Sequence, residues 1–199
     1  MKKKKDKDIV FLLDRSGSMY SFTEDTIGGY NSYLENERRN SNTRITTVLF
    51  DDQYEVLHDR VKISEVNDIT DKEYYTRGCT ALYDAIGKTI MSLDAKKADK
   101  VLFVITTDGL ENASREYNKD SVKKLIEKHS NWEFMYIGDN IDSYNEGAKI
   151  GIKKDNIANR SNSKKGMAKM FGAVARASMM YEEADEISMD WKKDLESEE

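Results

Sequence analysis

Residues 9–18 read IVFLLDRSGS, five apolar residues followed at once by polar ones. The apolar run is short, continuous and rich in β-branched and aromatic side chains, which is typical of a strand buried on both faces of a parallel sheet. If the chain stays extended beyond it, Asp14, Ser16 and Ser18 point the same way. Their carboxylate and hydroxyl oxygens are ligands of the kind that Mg²⁺, Ca²⁺ and Mn²⁺ prefer. An ordinary serine–glycine turn explains the same residues, so both interpretations stay open at this point.

The composition of the chain excludes several classes of protein. It has 199 residues, enough for one domain with a substantial core, and its net charge of −5 argues against a nucleic-acid-binding protein. No apolar stretch approaches the roughly 20 residues of a membrane helix, and acidic residues interrupt the region where a signal peptide would be apolar. We therefore expect a cytoplasmic protein with neither a membrane nor a nucleic acid as partner. The single cysteine, Cys79, excludes a cysteine-based zinc site and is expected to be a small buried residue.

Strand-like and helix-like segments alternate along the chain. Strands are predicted at residues 9–13, 44–50, 54–61, 101–105, 132–137 and 156–159, and helices at about 23–39, 80–93, 119–129, 143–150 and 163–186. The connection between the second and third strands is too short for a parallel crossover, so the third strand should be an antiparallel edge. Thr23 and Thr80 are the predicted N-caps of the first two helices. We expect an α/β fold, a doubly wound and mostly parallel sheet with helices on both faces.

The ends of the chain differ in composition from its middle. We expect a basic N-terminal tail at residues 1–7, one domain at 8–186 and an acidic C-terminal tail at 187–199. Ile187, Trp191 and Leu195 recur at helical spacing in the acidic tail. This tail is either a solvated helix end or a segment that docks on the body or on a partner, and an exposed tryptophan would favour the partner.

The two most apolar strands are expected at the centre of the sheet. The first leads into Asp14 and the strand at 101–105 leads into Asp108. Ligands of open α/β sheets bind outside the carboxyl ends of the strands, at the point where the strand order reverses. Adjacent central strands would bring both carboxylates to one crevice, near the start of the helix at Thr80.

Three segments of the chain together resemble the metal-ion-dependent adhesion site (MIDAS) of von Willebrand factor A domains. They are Asp14-x-Ser16-x-Ser18, then Thr80 within GCTALYDA at residues 78–85, then Thr107-Asp108-Gly109. The resemblance covers roughly residues 8–180, and the three segments agree in order, spacing and structural context. The segment DTIGGYN at 25–31 and the compact length are most similar to stand-alone bacterial or phage members.

The resemblance implies a set of ligands for a divalent cation. Ser16 and Ser18 would bind Mg²⁺, or Mn²⁺ or Ca²⁺, directly. Thr80 would bind it directly or through water, and Asp14 and Asp108 largely through water. Mostly neutral direct ligands leave the cation electrophilic with one position open, which a carboxylate of a partner protein can fill. The implied function is a metal-dependent protein-binding module for adhesion or scaffolding, not an enzyme, whose partner presents Asp or Glu.

Two other functions fit parts of the sequence. A Mg²⁺-dependent phosphotransferase or hydrolase could use Asp14 as its nucleophile. Position 16 is a serine, however, where aspartate-nucleophile phosphatases typically carry a second aspartate. Dinucleotide binding requires a G-x-G-x-x-G motif after the first strand, and the sequence lacks it there.

Residues flanking the motifs have two interpretations each. Asp84 either orients groups of a loop or is a solvated charge on a helix. Glu111 and Asn112 follow Gly109 closely and could line the rim of the site. Arg15 and Tyr20 flank the first motif, so each either contacts a partner or is simply exposed.

Overall fold

Six strands form one sheet in a computed structural model that describes residues 7–39, 42–139 and 142–196. The strands are β1 (Lys7–Asp14), β2 (Thr43–Phe50), β3 (Tyr54–Lys62), β4 (Val101–Thr107), β5 (Glu133–Gly138) and β6 (Ile157–Asn159). Their order is β3-β2-β1-β4-β5-β6. The β2–β3 pair is antiparallel and the other four pairs are parallel. The predicted mostly parallel sheet with one antiparallel edge strand is therefore confirmed.

Helices cover both faces of the sheet. They are α1 (Thr23–Glu37), α2 (Leu82–Ala95), α3 (Lys119–Lys128), α4 (Ser143–Lys149), α5 (Lys164–Ala184) and α6 (Lys193–Glu196). Alternate side chains of β1 enter two separate cores, because successive residues of a strand point to opposite faces. Phe11 packs with residues of α1 and α5 in one core, and Leu12 packs with residues of α2 and α3 in the other. None of the helices in the described ranges is both long and apolar enough to span a membrane.

Helices α1 and α5 approach each other closely at Gly29. A Cβ atom at this position would stand 2.2 Å from Cδ2 of Phe171, so a larger residue would force the two helices apart. The Phe171 ring also packs with Phe11 of β1 and Tyr30 of α1. Glycine in the middle of α1 costs helix stability of about 1 kcal/mol relative to alanine, and here it permits this aromatic packing.

The predicted N-caps Thr23 and Thr80 are both wrong. A 3₁₀ helix at Gly17–Phe22 runs directly into α1, so Phe22 occupies the N-cap position and Thr23 already lies inside the helix. The Thr23 hydroxyl donates instead to the carbonyl oxygen of Tyr20, at 3.0 Å. Helix α2 begins at Leu82 after Ala81, and side chains from another loop bind its first N–H groups.

The segment after α5 folds back onto the body of the protein. Asp185 adopts a left-handed conformation with φ of 59° and ends the helix. Trp191 is fully buried, and its Nε1 donates a hydrogen bond of 2.9 Å to the carbonyl oxygen of Asp155. The described part of the predicted acidic tail thus docks on the body rather than extending the helix into solvent.

The limits of the predicted tails also change at the N-terminal end. Lys7, assigned to the basic tail, is the first residue of β1 and is buried, with its ammonium group beside Glu37 and the hydroxyl of Ser178. The rest of the predicted tails, residues 1–6 and 197–199, lies outside the described residues.

Candidate metal centre

The first and third motifs of the site meet because β1 and β4 are neighbours. These parallel strands pair in register up to Leu13 and Thr106. The chain moves from β1 to one side of the sheet and from β4 to the other, so the strand order reverses between them. Asp14 ends β1 and Asp108 directly follows β4, at the edge where such folds bind their ligands.

The loop after β1 reaches this edge by a turn rather than by an extended chain. The expectation that strand alternation aligns the three residues is wrong, since the chain enters the 3₁₀ helix at Gly17. The turn nevertheless brings the Oγ atoms of Ser16 and Ser18 within 3.2 Å of each other. The backbone N–H of Ser16 donates to Oδ1 of Asp14, at 2.7 Å, and fixes the start of the turn.

Hydrogen bonds join this loop to the end of β4. Ser18 Oγ donates to Oδ1 of Asp108 at 2.6 Å. Thr107 Oγ1 donates to Oδ2 of Asp14 at 2.5 Å. Thr107 was not among the predicted ligands, and it fixes the orientation of the Asp14 carboxylate from the neighbouring strand.

Thr80, in the second motif, comes to the same point. A Cβ atom placed on Gly109 would stand 3.2 Å from Oγ1 of Thr80 and 3.9 Å from Oγ of Ser18. Both hydroxyls therefore lie against the small residue that follows Asp108, and glycine leaves room for them. All five predicted residues, Asp14, Ser16, Ser18, Thr80 and Asp108, come together at one edge of the sheet.

Asn112 holds the backbone of Thr80 in place. Its Oδ1 accepts the N–H of Thr80 at 2.9 Å, and the Thr80 carbonyl oxygen accepts the N–H groups of Asn112 and Ala113 at 3.0 and 3.2 Å. The predicted role of Asn112 at the rim is thus a positioning role, exerted through the main chain.

Glu111 and Ser114 cap helix α2 from outside that helix. Glu111 Oε2 accepts the N–H of Tyr83 at 2.9 Å, and Ser114 Oγ accepts the N–H of Asp84 at 3.0 Å. The other oxygen of Glu111 accepts the N–H groups of Ala113 and Ser114. Since the first N–H groups of a helix lack intrahelical partners, these contacts stabilise the start of α2 beside Thr80.

Asp84 orients the same loop, which decides between its two interpretations. Its carboxylate is buried and accepts the N–H groups of Arg115, Glu116 and Tyr117 at 3.0, 2.9 and 2.8 Å. Burial by itself would raise the pKa of Asp84, but these three donors outweigh it and the pKa lies below its ordinary value. Asp84 and residues 111–117 are together called the supporting loop contacts below.

Arg15 is a buried structural residue rather than an exposed one. Its Nε donates to Oδ2 of Asp51 at 2.9 Å, and Nε of Arg77 donates to the same oxygen at 2.8 Å. Asp51, at the carboxyl end of β2, thus links the first motif to the segment before Thr80. Asp51 was not among the predicted site residues, although it directly follows an apolar strand, as Asp14 does.

Cys79 is exposed, contrary to the prediction that it is buried.

Burial shapes the electrostatics of the cluster. It raises the pKa of Asp14 from 3.8 to about 6, against the opposing effect of the hydrogen bonds from Thr107 and Ser16, and the charge of Asp108 raises it further. A buried arginine side chain lies nearby: Nη1 of Arg160 is 3.2 Å from Oδ2 of Asp139. Burial lowers the pKa of Arg160, and the charges of Asp139 and Asp108 oppose that shift.

The donor set fits a hard divalent cation. Oxygens bound at about 2.0–2.1 Å to adjacent octahedral positions of Mg²⁺ are roughly 3 Å apart, close to the 3.2 Å between the hydroxyls of Ser16 and Ser18. In the part of the chain that the structure describes, no group of three or more His, Cys, Asp or Glu residues could hold a metal ion. The cluster has two carboxylates and three hydroxyls, so any cation bound there would depend on neutral oxygens. Such ligands favour Mg²⁺, Mn²⁺ or Ca²⁺.

Solved structures share this fold, although sequence comparison alone finds no relative. No protein-family model and no curated protein matches the sequence. Proximal thread matrix protein 1 from the mussel byssus, in a structure with a zinc-occupied MIDAS motif, is similar with a TM-score of 0.65 and 17% identity, over 88% of this chain and 46% of that one. The pilus adhesin SpaC from Lactobacillus rhamnosus GG has a TM-score of 0.70 and 13% identity, over 88% and 30%.

A von Willebrand factor type A protein from Catenulispora acidiphila is similar with a TM-score of 0.63 and 15% identity, over 88% of this chain and 43% of that one. The chain therefore spans less than half the length of each of these three proteins. At these identities the comparison concerns the fold, and it shows that this chain has the fold of von Willebrand factor A domains.

Proposed function

We propose that this chain is a von Willebrand factor A-type module that uses a divalent cation to bind a carboxylate of a partner protein. The cation would be held by Asp14, Ser16, Ser18, Thr80 and Asp108, with the two carboxylates acting largely through water. One observation carries the proposal: oxygen-bearing side chains from three segments far apart in sequence meet at one edge of the sheet. An ordinary turn after β1 would account for the two serines but not for Thr80 and Asp108 beside them.

The charges and exposure of the cluster support this function. Two carboxylates match the charge of one divalent cation, and neutral hydroxyls make up the rest of the set. Asp14 and Ser16 are buried, whereas Ser18 is exposed, so the cluster is closed on the side of Asp14 and open to solvent on the side of Ser18. A carboxylate from another protein could reach a cation from the open side and complete its coordination.

Binding is favoured over catalysis by the state of Asp14. Its side chain is fully buried and both oxygens accept hydrogen bonds, so it is poorly placed to attack a phosphate. Neither histidine lies in the cluster, because His58 is in β3 and His129 follows α3. Similar solved structures carry the names of an adhesin and a matrix protein, which is consistent with a binding role. We propose Mg²⁺ as the cation because all the donors are hard oxygens.

Thermal unfolding with added cation tests the proposal. Mg²⁺ at about 100 times its dissociation constant should stabilise the protein by roughly 2.7 kcal/mol, which corresponds to a rise in Tm of about 5–10 °C. Ser16→Ala and Ser18→Ala should abolish most of this rise, because each removes a direct ligand. Ser32→Ala, on the exposed side of α1, is the matched control and should keep it. A wild-type Tm that does not respond to Mg²⁺, Mn²⁺ or Ca²⁺ would contradict the proposal.

A further inference from the structure

A cavity lies at the edge of the sheet opposite the candidate metal centre. Its volume is about 160 Å³, and it is enclosed by the end of α3, the start of β5 and the segment between α4 and β6. β5 begins at Glu133, whereas the candidate metal centre lies at the carboxyl ends of the strands. The apolar part of the lining consists of Ile126, Trp132, Phe134 and Ile152, each at most 5% exposed. The cavity is therefore apolar inside and separate from the proposed cation site.

One side of the cavity is formed by a row of aromatic rings. The ring centroids of His129 and Trp132 are 4.2 Å apart with 36° between the ring planes, and Phe134 follows at 6.1 Å from Trp132 with 33°. A hydrogen bond of 2.8 Å between Nδ1 of His129 and the carbonyl oxygen of Leu125 fixes the first ring of the row. Aromatic rings interact favourably with a further ring in offset-stacked or edge-to-face geometry. This side of the cavity therefore favours an aromatic ligand.

Asn156 supplies a polar group to the same cavity. Its side chain is buried, and Nδ2 donates to Oε2 of Glu133 at 2.6 Å. A carboxylate only accepts hydrogen bonds, so the amide nitrogen must face Glu133 and the amide oxygen is left as an acceptor. This Oδ1 atom accepts no hydrogen bond from the residues that the structure describes. Because a buried acceptor without a donor is unfavourable, a ligand that donates one hydrogen bond would stabilise this site.

We infer that this cavity binds a free, neutral molecule with one aromatic ring and one hydrogen-bond donor, of which phenol is the simplest. A protein cavity of about 150 Å³ with an apolar lining binds benzene, so the volume here matches a single ring. The ligand is neutral because the carboxylate at the cavity is already paired: Nζ of Lys153 lies 3.1 Å from Oε1 of Glu133. The inference requires no cation and is independent of the proposed function.

The surroundings of the cavity favour a small molecule over a protein partner. Its exposed lining residues are polar: Glu127, Ser130 and Lys153. None of the exposed large apolar side chains in the described ranges belongs to the lining. Protein interfaces have an apolar core formed by several residues, which is lacking around this cavity. A ligand that fits inside the cavity needs no such surface.

Isothermal titration calorimetry of the full chain with phenol, benzene and cyclohexanol tests the inference. Phenol should bind with a dissociation constant of roughly 1 mM or below, equally in Mg²⁺ and in EDTA. Benzene should bind roughly three- to tenfold more weakly, because it leaves Oδ1 of Asn156 without a donor. Cyclohexanol keeps the hydroxyl but has no aromatic ring, so it should also bind roughly threefold or more weakly than phenol.

Two variants locate the binding in this cavity. Ile152→Phe should fill the cavity and abolish phenol binding. Ile187→Phe, a partly buried site packed against the other core, is the matched control and should keep it. Asn156→Leu should bind benzene at least as well as the wild type does, while losing the preference for phenol. A merely unfolded variant would lose both ligands, and thermal unfolding shows whether each variant folds.

Three results would overturn the inference. The first is a wild-type chain that does not bind phenol, or that binds all three compounds equally. The second is a folded Ile152→Phe variant that binds phenol as the wild type does. The third is tighter binding of the peptide Gly-Tyr-Gly than of phenol, which would show that the cavity receives a tyrosine side chain of a partner protein. None of these results changes the response of the Tm to Mg²⁺, so the proposed function is tested separately.

Discussion

Carboxylates have opposite surroundings in two neighbouring regions of this protein. In the supporting loop contacts, Asp84 and Glu111 together accept hydrogen bonds from six main-chain N–H groups at 2.7 to 3.0 Å. In the metal centre, Asp108 accepts from the hydroxyl of Ser18, and Asp14 accepts from the hydroxyl of Thr107 and from one N–H group.

The difference separates carboxylates that hold the loop in its conformation from carboxylates that remain available to a cation. Main-chain donors are fixed by the fold, so the lone pairs they occupy are not free for a ligand. A hydroxyl can rotate its hydrogen away and present its oxygen to a cation. Sequence alone does not distinguish the two kinds of carboxylate, because the hydrogen bonds that separate them come from segments far away in the chain.

The largest effect is expected from removing a supporting carboxylate. Asp84→Ala should lower the free energy of unfolding by about 3–5 kcal/mol, because three N–H groups lose a charged acceptor. Chemical denaturation measures this value, and Asp71→Ala, at an exposed site, is the control. A loss below about 1 kcal/mol would remove the distinction between the two regions, since it would mean that Asp84 does not support the loop.

The pH dependence of stability should have opposite signs for Asp14 and Asp84. In cation-free buffer the folded protein holds a proton on Asp14 more tightly than the unfolded chain does, since its pKa rises from 3.8 to about 6. The contribution of Asp14 is therefore present at low pH and is lost as the pH rises to about 6, by up to roughly 3 kcal/mol. Asp84, with a lowered pKa, contributes stability that is lost as the pH falls below about 4.

Denaturation in EDTA across this pH range checks both signs. Asp14→Asn should flatten the decline between about pH 4 and 6, and Asp84→Asn should flatten the loss at lower pH. If Asp14→Asn instead keeps the wild-type profile, the Asp14 carboxylate is not buried as the account requires.

The smallest effect concerns the segment that carries Thr80. Gly78 has φ of 65°, so Gly78→Ala should cost about 1–2 kcal/mol of stability and shift the segment that leads to Thr80. Gly28 lies in α1 with nothing within 4 Å of an added Cβ, so Gly28→Ala should stabilise by about 0.5–1 kcal/mol. Only Gly78→Ala should also weaken the Tm response to Mg²⁺. Equal effects of the two variants would indicate that the Thr80 segment needs no special conformation.

Much of the fold could be predicted from the sequence because its signals are local. Continuous apolar runs identified β1 and β4, and the three-residue connection after β2 required an antiparallel neighbour. The five site residues were predicted from the resemblance to the three motifs, and the structure brings them together. Helix starts were less predictable: Ser114 and Glu111 cap α2 from about 30 residues away, so no local pattern near Thr80 could reveal them.

Residues that act through others were missed for the same reason. Asp51 and Thr107 position the motifs through contacts with Arg15 and Asp14, which depend on strand order rather than on spacing. Burial of Arg15 likewise depends on the carboxylate that meets it after folding. Trp191 could not be placed from its helical spacing, because the chain turns at Asp185 before reaching it.

The central claim is tested most directly by locating a bound cation. Crystals grown with Mn²⁺ should show an anomalous difference peak roughly 2.0–2.3 Å from the Oγ atoms of Ser16 and Ser18. The peak should be absent in crystals of Ser16→Ala grown in the same way. No peak in the wild-type cluster, or a peak bound elsewhere while the hydroxyls of Ser16 and Ser18 still hydrogen-bond to each other, would contradict the account.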